Sequence, residues 1–255
     1  MSKPLAFFQD LARRRYQREV VFVAQVGSLN YNLQTEDSDE DYEVYLLPTF
    51  NSYYNRQEVS VDTHVDGVDV KFKEVGLLAN QLVKSNPNFL QLLFSKNVVY
   101  CAPELLWMFE QREELASANT PRLYDSLFGM AKNGESRVLG SRKKDVLNGK
   151  ALVQMSRTVH LVHRYVDTEF KDYETSLYLP DRLRRLCLHM KKGRSDKGTP
   201  LTEQEVDDLM KDVFRELKYF EPYYKEHPVN KEVLDRFSTQ LEASVEKMFF
   251  QQYQK

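Results

Sequence analysis

Apolar positions along the first hundred residues follow two periods in turn. In residues 4–18, Phe7, Phe8, Leu11 and Tyr16 recur at helical spacing, and Arg13, Arg14, Arg15 and Arg18 fall toward the end, where cations suit the helix dipole. The run Val20-Val21-Phe22-Val23-Ala24-Gln25-Val26 then predicts a buried strand that stops at Gly27-Ser28. A polar stretch from Gln34 to Asp41 leads into Val44-Tyr45-Leu46-Leu47, a second strand closed by Pro48. Val59, Val61, Val65, Val68, Val70 and Phe72 predict two further strands about an Asp66-Gly67 hairpin turn. Residues 74–84 read as a helix. Asn86-Pro87-Asn88 breaks it, because proline disfavours helical geometry in the residue before it, and a second apolar helix follows from Phe89 to Phe94.

Past about residue 105 helical periodicity dominates, with breaks expected near Asn119–Pro121, Lys132–Glu135, Tyr178–Pro180, Gly193–Pro200 and Pro228. The pattern predicts an α+β fold over the first hundred or so residues and an all-α region behind it. The expected domains are residues 1–110 and 111–255, with the boundary between residues 105 and 120.

Composition narrows this picture little. The chain has 255 residues, 42% hydrophobic and 29% charged, which suits one large domain or two modest ones with a real core. Formal net charge is −2, so any phosphate-binding surface must be local rather than a global basic field. Cys101 and Cys187 form no CxxC pair, which argues against a disulfide framework or zinc-thiolate site and fits a reducing compartment. The first residues carry no leader pattern, and no run approaches the roughly 20 apolar residues that span a bilayer. The expected location is the cytoplasm, with no membrane partner.

Chemistry concentrates in residues 27–41. Gly27 after a buried strand allows a sharp turn and close ligand approach, and Ser28 adds a hydroxyl, so the two suit a phosphate cradle. If Asp39 opens the second strand, the period of two puts Asp39 and Asp41 on one face. Two carboxylates so close repel each other unless a cation sits between them, and Mg²⁺, which prefers oxygen ligands, is the natural one. Asp69 lies between Val68 and Val70 on a later strand, and a charge there is costly unless paired. Three such carboxylates suit a two-metal phosphoryl displacement. Each part alone has a plainer reading: an acidic surface loop that also holds Glu36, Asp37 and Glu40, and a hairpin-edge aspartate. The order of the parts favours the chemical reading.

That order resembles the DNA polymerase β-type nucleotidyltransferase superfamily, and within it a branch of predicted nucleotidyltransferases of bacteria and phages, some associated with RNA ligases. Gly27, Ser28, Tyr31, Thr35, Ser38, Asp39 and Asp41 stand at the places of the branch's G-S-x-A-Y-G-x-x-T-x-x-S-D-x-D pattern. Asp69-Val70, Asn86-Pro87-Asn88 before Leu90-Gln91-Leu92-Leu93-Phe94, Gly149-Lys150-Ala151-Leu152 with Arg157, and Lys191-Lys192-Gly193 extend the likeness in order. Asn30, Asn32 and Glu43 depart from the pattern. Asn32 tolerates a left-handed turn, and Glu43 would extend the acidic face.

The resemblance implies a mixed sheet with flanking helices and a transfer of a nucleoside monophosphate from an NTP such as ATP to an acceptor hydroxyl. Asp39, Asp41 and Asp69 would be the catalytic residues and the ligands of Mg²⁺ or Mn²⁺, with Asp69 also helping to deprotonate the attacking hydroxyl. Nucleotide binding would fall to Gly27, Ser28, Asn30, Tyr31 and Ser38, joined by Lys150 and Arg157. Lys150, Arg157 and Arg164 share a helix face at spacing seven, a line that suits phosphates or is simply a solvated stripe. His160 and His163 read as structural, Trp107 as core, and Tyr219, Phe220, Tyr223 and Tyr224 as helix packing more than base stacking. An RNA 3′ end, tRNA included, is the first expected acceptor. A protein hydroxyl, as in a toxin-like regulator, a non-catalytic nucleotide- or RNA-binding module, and a plain helical interaction protein are the alternatives.

Overall fold

The computed structural model describes residues 3–144 and 146–254. Its first helix, α1 (Leu5–Tyr16), ends where Gln17 turns left-handed at φ 56° and donates its N–H to the Arg13 carbonyl. The strands are β1 (Val20–Val26), β2 (Glu40–Leu46), β3 (Ser60–Val65), β4 (Val68–Glu74) and β5 (Val98–Cys101), in the order β3-β4-β2-β1-β5. β2 and β4 run parallel and the other neighbours antiparallel, so the sheet is mixed as expected. The β3–β4 turn is the expected Asp66-Gly67, with φ 47° and 78°, the positive pair that a tight hairpin needs.

One face of the sheet packs on α1. Tyr42, Val44, Leu46, Val68, Val70 and Phe72 meet Phe8 and Ala12 there, with the Phe8 and Tyr42 rings 4.9 Å apart. The opposite face carries the alternate residues of β2 and β4. Between and after the strands lie α2 (Phe50–Tyr54), α3 (Gly76–Val83), α4 (Pro87–Leu93), α5 (Trp107–Glu110) and α6 (Arg112–Ser117). The Asn-Pro-Asn motif is a helix start: Asn86 caps α4 by accepting the Asn88 N–H, and Pro87 takes the first helical position.

The rest is helical: α7 (Thr120–Arg142), α8 (Gly149–Asp167), α9 (Tyr173–Leu177), α10 (Asp181–Lys191), α11 (Glu203–Glu226) and α12 (Lys231–Gln251). The expected break at Lys132–Glu135 does not occur. α7 runs through Gly134, where a β-carbon would stand 2.5 Å from Met155, so this glycine serves close helix packing and not a turn.

Two compact units result, and their division departs from the expected 1–110 and 111–255. The described residues up to Asn30, Gln34–Ala118 and those from Asn230 onward form the first; Tyr31–Leu33 and Asn119–Val229 form the second. Thus α12 belongs with the sheet, where Trp107 Nε1 donates to Ser244 Oγ at 3.1 Å and stacks edge-on against Phe237. In the second unit, buried hydroxyls tie helix to helix. Tyr124 donates to the Leu217 carbonyl at 2.9 Å and Tyr224 to that of Val162 at 3.1 Å. Phe220 and Tyr224 pack inward as expected, whereas Tyr219 and Tyr223 face solvent. No described helix is long and apolar enough to cross a membrane, and both cysteines are free thiols.

Candidate active site

Strand register assembles the acidic residues. Asp41 stands opposite Asp69 across the parallel β2–β4 pair, and His64 stands opposite Asp69 across β3–β4. On the other side Asp41 pairs with Val26, the last residue of β1, so Gly27 emerges beside it. Neighbouring strands lie about 4.8 Å apart, so the Asp41 and Asp69 backbones are adjacent and their side chains leave the same face of the sheet. His64 Nδ1 lies 2.8 Å from Asp69 Oδ1. Gly27 has φ 77°, and a β-carbon there would meet Asp41 Oδ2 at 2.6 Å, so both its backbone and the carboxylate beside it require glycine.

Asp39 sits one residue ahead of β2 and is exposed, outside the Asp41–Asp69 pair. Among the described residues, no group of three or more His, Cys, Asp or Glu side chains converges tightly enough to hold a metal ion. Asp41 and Asp69 nevertheless fit Mg²⁺ in chemistry, since that ion is commonly held by one or two carboxylates and completed by water and substrate phosphates.

Glu43 does lie on the acidic face, but its charge is matched. It is 4% exposed, accepts the Tyr45 hydroxyl at 2.8 Å and pairs with Lys73 Nζ at 2.8 Å. Lys73 in turn sits 4.4 Å above the Phe89 ring of α4. Burial, then the Glu43 charge, pushes the Tyr45 phenol well above its usual range. Neither His64 nor Lys73 was singled out from the sequence. The two-residue Asp66-Gly67 turn fixes His64 opposite Asp69 and was the available signal; Lys73 had none.

The loop after β1 begins with the short 3₁₀ turn Gly27–Tyr31. Three of its expected nucleotide contacts, Asn30, Tyr31 and Ser38, have partners within the chain. Asn30 is 2% exposed and its amide meets the Gln91 carbonyl and the Lys96 N–H. Tyr31 is buried under the Arg157 guanidinium, whose carbon lies 3.3 Å from the ring centroid. Ser38 Oγ accepts the Thr35 N–H at 2.9 Å and closes the loop ahead of Asp39. Asn32 takes the left-handed turn at φ 59°, and its amide donates to the Leu179 carbonyl at 2.9 Å. Ser28 is half-buried at the start of the turn.

In the second unit, the three cations of α8 do not act as one line. Lys150 is exposed, Arg157 lies on Tyr31, and Arg164 is 3.7 Å from Asp167. Gly149 explains part of the Gly-Lys-Ala-Leu motif: a β-carbon there would stand 2.3 Å from the Met190 carbonyl, so the start of α8 abuts the end of α10, next to Lys191-Lys192-Gly193. Burial lowers the His160 pKa, as suits a structural histidine, and His163 stacks on Phe220 at 4.9 Å.

The RlaP family, described as an RNA repair pathway DNA polymerase beta family, matches residues 7–240, a span that holds all five strands and α2 to α11. No curated protein matches the chain. Among solved structures, it is similar to a nucleotidyltransferase-like protein from Exiguobacterium sibiricum 255-15. That likeness covers 96% of this chain and 91% of the other, at 10% identity and a TM-score of 0.29.

Proposed function

The chain belongs to the RNA repair pathway DNA polymerase beta family, a polymerase β-type nucleotidyltransferase group, and from that premise we propose that it moves a nucleoside monophosphate from an NTP to a hydroxyl at an RNA 3′ end, a tRNA end foremost. The observation that supports this reading most is the in-register Asp41–Asp69 pair with Gly27 pressed against Asp41. A strand pair that buries valines and tyrosines on its other face has no structural need for two adjacent carboxylates.

Asp41 and Asp69 would hold a divalent cation, Mg²⁺ or Mn²⁺, with Asp39 at the loop end as the third carboxylate. When bound, that ion supplies positive charge to the phosphates and to the attacking oxygen. Asp69 takes the proton of the acceptor hydroxyl. The freed oxygen bonds to the α-phosphorus while the bond from that phosphorus to the bridging oxygen breaks, and pyrophosphate leaves with the electron pair. His64 occupies Asp69 Oδ1 and so fixes the carboxylate's orientation, leaving Oδ2 for the reaction. The Gly27 backbone and the Ser28 hydroxyl cradle the terminal phosphates. Asn30, Tyr31 and Ser38 act by holding the loop's shape. On the second unit, Lys150 and Arg157 are the cations proposed for phosphate contact.

The test is incorporation of each α-labelled NTP with Mg²⁺ or Mn²⁺ into total RNA and, in parallel, total protein. Asp39→Ala/Asp41→Ala and Asp69→Asn serve as controls. Label in RNA that vanishes in both variants is the expected result. Label in the protein fraction would reassign the acceptor to a protein hydroxyl. Label that survives in the variants would refute the assigned site.

A further inference from the structure

Away from the carboxylates, the first unit carries a groove of about 700 Å³ between α3, α2 and α12. Its walls are apolar stripes at helical spacing: Ala79 and Val83 on α3, and Leu241, Val245 and Phe249 on α12. Tyr53 and Phe250 close one end, yet are 71% and 56% exposed. Phe50, Tyr54 and Tyr253 continue the exposed aromatic surface beyond it. A contiguous apolar surface of this kind on a folded chain marks an interaction site more often than an accident of packing.

The rim identifies the partner's charge. Glu242 and Glu246 stand one helical turn apart along the groove, both exposed. Among the described residues neither forms an ion pair; Glu242 accepts only the Ser238 hydroxyl, at 3.3 Å. Two carboxylates beside an apolar trough repel an RNA backbone or an anionic membrane and attract lysine and arginine. The α12 wall from Ser238 to Phe250 rises about 18 Å, the length of a helix of three to four turns.

We infer that this groove docks a basic amphipathic helix of a second protein, its apolar stripe laid between α3 and α12 and its cations paired with Glu242 and Glu246. Helix-in-groove recognition reads apolar anchors at i, i+3 or i+4, and i+7 on the docked helix, and the walls here are lined at one-turn steps, Ala79 and Val83 on one side and Leu241, Val245 and Phe249 on the other. The inference is independent of the carboxylate site.

The probe is a fluorescent peptide of about four helical turns with leucine at those anchor positions and lysine beside them. A composition-matched scramble and a glutamate-for-lysine version are the controls, and binding to the full chain is read by anisotropy. Binding of the patterned basic peptide alone is expected. It should weaken at least about tenfold in Glu242→Lys/Glu246→Lys, and also in Ala79→Trp, which fills the groove without changing charge. Circular dichroism should show both variants folded. Equal binding of the scramble, or equal binding by wild type and both folded variants, would overturn the inference. So would no peptide binding accompanied by concentration-dependent self-association that Ala79→Trp abolishes, which would make the occupant a second copy of this chain.

Discussion

Gly27 and Gly67 provide a matched pair that separates backbone strain from steric displacement of the site. Their φ values are 77° and 78°, but a β-carbon at Gly67 meets nothing within 4 Å, whereas at Gly27 it meets Asp41 Oδ2 at 2.6 Å. Alanine in left-handed geometry costs about 1–2 kcal/mol at either position. For a chain of this size that lowers the thermal midpoint by roughly 2–8 °C. Gly67→Ala should show this loss and keep transferase activity. Gly27→Ala must in addition push the Asp41 carboxylate away by roughly 1 Å to restore van der Waals contact. Misplacement of that order costs on the order of 100-fold in rate when the group positions reactants. The assay is kcat/KM for label transfer beside the thermal midpoint of each variant. A Gly27→Ala enzyme as active as Gly67→Ala would refute the assignment of Asp41 to the reaction. Equal loss of activity in both would show that backbone strain at positive φ, not carboxylate position, sets the rate.

Lys73→Met leaves the Glu43 carboxylate buried with only the Tyr45 hydroxyl, which should cost about 3 kcal/mol in urea unfolding. The double variant Lys73→Met/Glu43→Gln should recover most of that loss, and a single-variant cost below about 1 kcal/mol would contradict the ion-pair reading. Burial raises the Cys101 thiol to about 12 and the Cys187 thiol to about 11, so thiolate is scarce at pH 8 and iodoacetamide should leave the folded chain unmodified by intact mass while labelling both residues in urea. Because both folded-state values are raised, the stability these thiols contribute is present below their ordinary range and is lost as pH rises through 11 and 12; stability rising over that window would contradict it.

Much of the sheet is legible because its signals are local. The β-branched run of β1, the Asp-Gly turn of the hairpin and the Asn-Pro start of α4 each act within a few residues. The short edge strand Val98–Cys101 was not anticipated, since four residues give a period little room to appear. The long-range arrangements were not legible either. That β2 lies parallel to β4, rather than beside β3, depends on chain return over some twenty residues and not on any local motif. Only that pairing makes Asp41 and Asp69 neighbours. α12 shows clear helical periodicity, but sequence proximity suggested company with the preceding helices, and it joins the sheet's unit instead. Tyr31, Asn30 and Ser38 match a nucleotide-loop pattern because loop shape and ligand contact leave the same trace in sequence. The structure adds the partners Arg157, Gln91 and Thr35, which hold the loop's shape.

Position along the strands also sets how deeply each acidic group is buried. The end of β1, the starts of β2 and β4 and the end of β3 meet at one end of the sheet, bringing Gly27, Asp41, Asp69 and His64 together. Asp41 and Asp69 are half-buried there, close enough to water for a charge to be tolerated. Two residues further along β2 the burial is nearly complete, and at that depth Glu43 has a dedicated lysine and a tyrosine hydroxyl. The same sheet face thus holds a structural charge pair, Glu43 and Lys73, in its interior and the carboxylates proposed for the reaction at its rim, and the depth of burial divides them.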